Sequence, residues 1–145
     1  MKISIIYHSE SGNTKQVADM IAAGAKISDE LDVKTMSIDA IDVAFVDESK
    51  AVIFGSPTYF GSFSWQMKKW FDTTKIQLLD KLGSVFASEN FLGGGADVAE
   101  ISLIGHMLAK GMLVYSAGTA HGKPYTHYGA VTVSYTHLRA HETVL

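Results

Sequence analysis

Short apolar runs that alternate with helical patterns constrain the fold of this chain more than any other feature of its sequence. The run KISIIY at Lys2–Tyr7 is short and rich in β-branched residues, as expected of a strand buried on both faces. After Thr14 the apolar residues recur at helical spacing, and the same change of period repeats along the chain. This alternation predicts a parallel sheet with helices on both faces. The predicted strands are Lys2–Tyr7, Asp32–Ile38, Ala51–Ser56, Gly83–Ser88 and Met112–Gly118.

Several residues mark where the predicted elements begin or end. Pro57 is expected to stop the third strand, and Ser64 is expected to cap the helix that follows. Asp97 and Glu100 have the spacing of a capping box and predict the start of another helix. The segment AIDVAFVDES at 40–49 fits either a loop or a short helical turn.

The composition limits the classes of protein to consider. The chain has 145 residues, of which 47% are hydrophobic, and this suits one domain with a single core. A net charge of −3 argues against a nucleic-acid partner, which would need clustered lysine and arginine. Cysteine is absent, so disulfides, thiolate metal sites and cysteine nucleophiles are excluded. We find no signal-peptide pattern and no apolar run of membrane length, and we expect a soluble, cytoplasmic protein without a metal site.

The C-terminal segment differs from the rest of the chain. Residues Val133–Thr143 place polar and charged side chains where apolar faces would be expected. They can be back-translated into codons that resemble a transposon-end adapter used in sequencing libraries. We therefore expect a domain over residues 1–132 and a non-native tail over 133–145. His137 and His141 have helical i, i+4 spacing, but they lie inside this segment and are not taken as metal ligands.

Three segments of unusual composition follow predicted strands. In a parallel α/β sheet, ligands bind beyond the carboxyl ends of the strands. The first segment, Ser9–Thr14, leads into a helix N-terminus, where free N–H groups attract an anion. It contains hydroxyls, an amide and Gly12 but no lysine or arginine, which suits one phosphate monoester held by neutral donors. An ordinary N-capped turn is the alternative.

The other two segments are Ser56–Gly61 and Ser88–Gly95. Tyr59 and Phe60 stand between a proline and a glycine, and this position favours a wall for a flat ring over two core aromatics. The three successive glycines at 93–95 permit backbone amides to turn toward a ligand, although a flexible loop has the same composition. Together the three segments predict a site for a mononucleotide with a planar ring.

The stretches FGSPTYFGSFSWQMKKWFD and GSVFASENFLGGGAD carry a family resemblance. They resemble the flavodoxin-like FMN proteins and, among these, the NAD(P)H:quinone oxidoreductases of the tryptophan-repressor-binding-protein type. The resemblance covers nearly all of residues 2–132. It implies an α/β flavodoxin-like, doubly wound five-stranded parallel sheet with strand order 2-1-3-4-5. It also implies a last helix, which the chain after Thr132 is not expected to supply.

The resemblance also implies the cofactor site. One group of residues would hold the FMN phosphate, a second would contact the ribityl chain and the isoalloxazine, and a third would contact the pyrimidine side of the ring. Glu89 would disfavour an anionic reduced ring if its carboxylate faces the flavin, or it could point to solvent. The three groups are Ser9, Glu10, Ser11, Gly12, Asn13 and Thr14; Pro57, Thr58, Tyr59, Phe60 and Gly61; and Ser88, Glu89, Asn90 and Gly93.

The function that the resemblance implies is an FMN-dependent oxidoreductase that passes electrons from NAD(P)H, its co-substrate, to a quinone or similar acceptor. No catalytic acid or base is assigned. One alternative is a flavodoxin-type electron carrier without turnover of its own, and another is a flavin-free binding or signalling domain on the same fold. The expected partners are a small quinone-like acceptor and, by family resemblance, a second or further copies in a homodimer or tetramer.

Overall fold

The computed structural model describes residues 1–123 and 125–134 of the chain. Within these residues seven strands form one sheet, in which β2, β1, β3, β5 and β6 are neighbours in that order and all pair in parallel. β7 also pairs with β5 in parallel, and β4 forms an antiparallel hairpin with the end of β3. The elements are β1 Lys2–Tyr7, α1 Asn13–Ala25, β2 Asp32–Ser37, α2 Val43–Glu48, β3 Ala51–Tyr59, β4 Ser62–Phe63, α3 Trp65–Thr73, β5 Leu82–Glu89, α4 Ala96–Ala109, β6 Leu113–Val114 and β7 Ala130–Val133.

The expected flavodoxin-like topology is confirmed, with the fifth strand divided into two pieces. β6 pairs with the start of β5, from Leu82 onward, and β7 pairs with its end, from Phe86 to Glu89. The described residues between Val114 and Ala130 leave the sheet between these two pieces, so the prediction of one continuous strand over Met112–Gly118 is wrong beyond Val114. The Ser116 hydroxyl explains the departure, because it donates to the carbonyl of His127 and accepts from the amide of Gly118, which turns the backbone away.

The sheet is packed on both faces. One core cluster includes Phe54, Phe71 and Leu103 and lies beneath α3 and α4, whose buried residues contribute to it. The second cluster lies under α1 and includes Ile5 and Phe86. The near-continuous apolar strands seen in the sequence follow from this arrangement, since successive side chains point to opposite faces and both faces are covered.

Two predicted boundaries are wrong. β3 does not stop at Pro57 but continues to Tyr59, because its last two residues pair with β4. α4 begins at Ala96 and not at Asp97, and Gly95 precedes it in a left-handed conformation (φ 102°). Ser64 caps α3 as predicted, since its hydroxyl accepts from the amide of Met67 at 3.3 Å. The segment at 40–49, which by its sequence fits either a loop or a short helical turn, contains the helix α2. Asp42 caps this helix.

The C-terminal segment lies only partly within the described residues. Residues 135–145, with His137 and His141, lie outside the described residues, whereas Val133 ends β7 and Ser134 follows it. Among the described residues, no helix has the length and apolar character required to span a membrane.

Candidate functional site

The carboxyl ends of β1, β3 and β5 bring the three predicted segments together. β1 and β5 both lie next to β3, so the residues that follow these strands emerge at one edge of the sheet. The first and third segments are joined by a buried hydrogen bond of 2.8 Å between the hydroxyls of Thr14 and Ser88. The second and third segments touch, because a Cβ on Gly95 would lie 2.8 Å from the Cα of Gly61. The predicted convergence of the three segments is therefore present.

The first segment leaves the start of α1 with free donors. Gly12 precedes the helix in a left-handed conformation (φ 96°) and contributes no side-chain cap. The hydroxyl of Ser9 accepts from the amide of Gly12 at 3.1 Å and so tightens the turn. The amides of Asn13, Thr14 and Lys15 have no acceptor within the described part of the chain. Three unpaired N–H groups at a helix start form a site for an anion.

A first cavity of about 320 Å³ opens over this helix start. Most of the predicted site residues line it, and Ser134, which the sequence analysis placed in the C-terminal tail, lines it too. Ser134 accepts a hydrogen bond of 3.0 Å from the side-chain amide of Asn13. The predicted site residues outside this lining are Ser9, Gly12, Phe60, Gly61 and Gly93. The lining residues are Glu10, Ser11, Asn13, Thr14, Pro57, Thr58, Tyr59, Ser88, Glu89, Asn90 and Ser134.

A second cavity of about 410 Å³ adjoins the first and shares Thr58, Tyr59 and Asn90 with it. Its lining adds Phe60, Gly61, Phe91 and Gly94. Phe91 and Gly94 were not among the predicted site residues. Aromatic side chains and backbone dominate this lining, whereas hydroxyls and amides dominate the first. The pair of cavities therefore offers a polar compartment joined to a flatter aromatic one.

Two features of the wall of the second cavity point to a ligand. The hydroxyl of Thr58 is buried and has no hydrogen-bond partner within the described residues, and such a group carries a desolvation cost until a ligand satisfies it. Phe60 is fully exposed and has a left-handed backbone (φ 49°), which is costly for a bulky residue. An exposed aromatic held in a strained conformation at a cavity rim is typical of a binding site.

The charged side chains that line the two cavities are negative, and they belong to Glu10 and Glu89. Glu10 accepts from the side-chain amide of Gln66 at 3.2 Å. Burial and, secondly, this carboxylate raise the pKa of Tyr59. Within the described residues, no lysine or arginine lines either cavity. The nearby His8 is buried, and burial lowers its pKa, so it is neutral at pH 7.

Glu89 lines the first cavity and does not point to solvent, which was one of the two alternatives that the sequence left open. It is buried at the end of β5, and its carboxylate accepts from the amide of Ala96 at 2.9 Å. Glu89 therefore caps α4, which the capping box of Asp97 and Glu100 was expected to do. Glu100 is itself buried and makes no such contact, since its position on α4 faces the sheet.

Comparison with known proteins places this chain in a family. The model of the Flavodoxin domain family matches residues 4–92. A flavodoxin of Clostridium saccharobutylicum is 48% identical, and the match covers 92% of this chain and 84% of that protein. An NAD(P)H dehydrogenase (quinone) of Geotalea daltonii is 32% identical over 89% of this chain and 74% of that protein.

Solved structures agree with these sequence relatives. The flavodoxin, WrbA-like protein from Agrobacterium tumefaciens superposes with a TM-score of 0.75 at 24% identity, over 92% of this chain and 83% of that one. A flavodoxin from the domain Archaea gives a TM-score of 0.72 at 26% identity, over 98% and 90% of the two chains. The chain therefore belongs to the flavodoxin domain family.

Proposed function

We propose that this protein binds FMN and carries electrons between redox partners as a flavodoxin-type carrier. The observation that carries the proposal is the pair of joined cavities, one polar and built on a helix start, the other walled by aromatic side chains and lined by the unpaired hydroxyl of Thr58. The 48% identity to a flavodoxin supports the carrier over the quinone reductase that the sequence resemblance favoured.

The residues present fit the cofactor. The free amides of Asn13 to Lys15 and the hydroxyl of Thr14 would hold the phosphate with neutral donors. Thr58 would donate to the ribityl chain or to the ring, and Tyr59 and Phe60 would wall the ring. The bound flavin supplies the one- and two-electron chemistry, and the protein supplies its position and its electrostatic surroundings.

The carboxylates that line the cavity would lower the reduction potential of the bound flavin. The carboxylate of Glu10 lines the cavity, and no lysine or arginine among the described residues offsets it there. A negative charge near the ring disfavours further negative charge on it, so Glu10 would lower the potential at which the flavin accepts its last electron. The carboxylate of Glu89 adds to this effect while it remains bonded to the amide of Ala96.

The first test is a titration of the flavin-stripped protein with FMN and with riboflavin, followed by quenching of flavin fluorescence. Riboflavin should bind at least tenfold more weakly, because it lacks the phosphate that the helix start receives. Thr14→Val should weaken FMN binding by about tenfold or more and leave riboflavin binding nearly unchanged. Thr73→Val, on the exposed end of α3, is the matched control. Absence of flavin binding would contradict the proposal and favour a flavin-free binding or signalling domain.

A second candidate function is reduction of a quinone-like acceptor by NAD(P)H. Quinone dehydrogenases from three organisms, which are 30–32% identical to this chain, favour it. The flavin-loaded protein should be mixed with NADH or NADPH and a soluble quinone while absorbance at the nicotinamide band is followed. Steady consumption would establish the enzyme, whereas a carrier would be reduced only when a partner reductase is added.

A further inference from the structure

Glu100 is a buried acid that the proposed cofactor site does not use. It lies on the side of α4 that packs against the sheet, and it is 1% exposed. Neither of its side-chain oxygens has a hydrogen-bond partner within the described residues, and none of the ion pairs among these residues includes it. A buried carboxyl without partners is rare, because it loses its bonds to water and gains none in return. Such a group is a candidate for a functional role.

The backbone leaves a fitted space for this carboxyl. A Cβ on Gly129 would overlap Oε2 of Glu100 and the carbonyl of Val85, so the lack of a side chain at position 129 makes room for the acid. Gly129 directly precedes β7, and Val85 belongs to β5. Both strands end at the first cavity, which Glu89 at the end of β5 and Ser134 after β7 line. The two strands that form this cavity wall therefore also enclose the acid.

Glu100 lies close to the first cavity but outside its lining. The carboxylate of Glu89 lines that cavity and accepts from the amide of Ala96 at 2.9 Å. Ala96 begins α4, and four residues of a helix rise about 6 Å, so Glu100 lies one turn further from the cavity. Ala96 and Ala99 are buried, so this turn is shielded from water. Charges interact more strongly across such an interior than across solvent.

The charges that act on Glu100 are negative. Burial, the charge of Asp97 and the charge of Glu89 raise the pKa of Glu100 to about 8. His127 and Tyr128 are exposed, and Tyr59 faces the two cavities. β4, β6 and β7 carry no titratable side chain. The titratable groups of the other adjoining elements are Glu89 on β5, Tyr59 on β3, Asp97 and His106 on α4, and His127 and Tyr128 before β7.

A negative charge added in the first cavity would act on Glu100 as Glu89 does. Glu89 lies in the wall of that cavity, and its charge already makes the proton on Glu100 harder to remove. An electron added to a flavin in the cavity has the same sign and so the same effect. The coupling is reciprocal, so the proton on Glu100 makes the electron easier to add.

We propose that Glu100 is a redox-linked proton site, which takes up a proton from water as an electron enters a flavin held in the adjoining cavity. The electron comes from the reducing partner, and the proton forms one O–H bond on the carboxylate of Glu100. The proton returns to water when the electron is passed on. At neutral pH the retained proton limits the negative charge beside the flavin to Glu10 and Glu89. The inference rests on the proposed binding of FMN.

Infrared difference spectroscopy of the FMN-loaded protein tests the proton uptake directly. With electrochemical reduction at pH 8.5, the reduced-minus-oxidised spectrum of the wild type should show the carbonyl band of a newly protonated carboxylic acid. Surface acids do not contribute this band, because they are ionised at this pH in both redox states. Glu100→Gln should lose the band, since an amide does not ionise. Glu30→Gln, on the exposed surface, is the matched control and should keep it.

The reduction potential for the last electron gives a second readout that a merely structural role would not move. Above pH 8 the potential of the wild type should fall more steeply with pH than that of Glu100→Gln, and near pH 6 the two should run parallel. A wild type that binds FMN and is reduced without the infrared band would overturn this inference alone, and so would a band that survives in Glu100→Gln. A protein that takes up no FMN would contradict the proposed function and this inference with it.

Discussion

Replacing Glu100 tests how a buried, unpaired carboxyl controls the stability of this fold. Glu100 is 1% exposed, and neither of its side-chain oxygens has a hydrogen-bond partner within the described residues. Burial and the negative charges of Asp97, on the same helix, and of Glu89, on β5, raise its pKa from 4.5 to about 8. The carboxyl is therefore protonated and neutral in the folded protein at pH 7.

The magnitude follows from proton linkage. Below pH 4.5 both the folded and the unfolded chain hold the proton, and the group has no effect on the pH dependence of stability. Between pH 4.5 and about 8 only the folded chain keeps the proton on Glu100. The free energy of unfolding therefore falls by about 1.4 kcal/mol for each pH unit. The full cost is about 5 kcal/mol, and it is constant above pH 8.

Glu100→Gln keeps the shape of the side chain and removes its ionisation. We expect urea unfolding at pH 5.5, 7 and 8.5 to show that the free energy of unfolding of the wild type falls, relative to that of the variant, by about 1.4 kcal/mol per pH unit up to pH 8. The variant should be less stable than the wild type at pH 5.5, because a buried amide leaves two donors unpaired, and should overtake it at high pH. Glu30→Gln, on the exposed surface, is the control and should follow the wild type. A difference between wild type and Glu100→Gln that does not change with pH would refute the reasoning.

Three further substitutions test the packing and the caps. Gly55→Ala should destabilise the protein by about 2 kcal/mol or more, since the new methyl group would overlap the ring of Phe86. Adding Phe86→Leu to this variant should recover part of the lost stability, as measured by thermal denaturation. Ser64→Ala should cost about 1 kcal/mol of unfolding free energy through the lost cap of α3, and Ser64→Gly should cost less. Gly129→Ala should lower the melting temperature most of the three, because its methyl group would overlap the backbone carbonyl of Val85, which cannot move aside as a side chain can.

The arrangement of strands and helices could be predicted because local and tertiary requirements agree there. The run at Lys2–Tyr7 is β-branched and is buried between two neighbouring strands, so its sequence pattern and its position carry the same information. The same holds for the convergence of the three segments, which follows from parallel strands ending at one edge. Neither prediction required knowledge of a particular side-chain contact.

The errors arose where a residue distant in sequence decided the local structure. The capping box of Asp97 and Glu100 is a local pattern, but Glu89 lies beside the helix start and provides the cap, and Glu100 turns toward the sheet. The division of the fifth strand depends on a hydrogen bond from Ser116 to His127, which no periodicity reveals. The place of Ser134 in the cavity also follows from the path of β7 and has no signal in the sequence.

The hydrogen bonds that complete the first segment have a consequence for biosynthesis. Thr14 reaches its partner Ser88 across 74 positions, and Asn13 reaches Ser134 across 121. The segment at Ser9–Thr14 leaves the ribosome before β5 and β7 do, yet its surroundings are complete only when both strands have been added to the sheet. Long-range pairings of this kind form late, because closing the intervening chain costs entropy before any contact repays it. A ligand at this site would therefore bind only after β5 and β7 have joined the sheet, and its binding would report that nearly the whole described chain has folded.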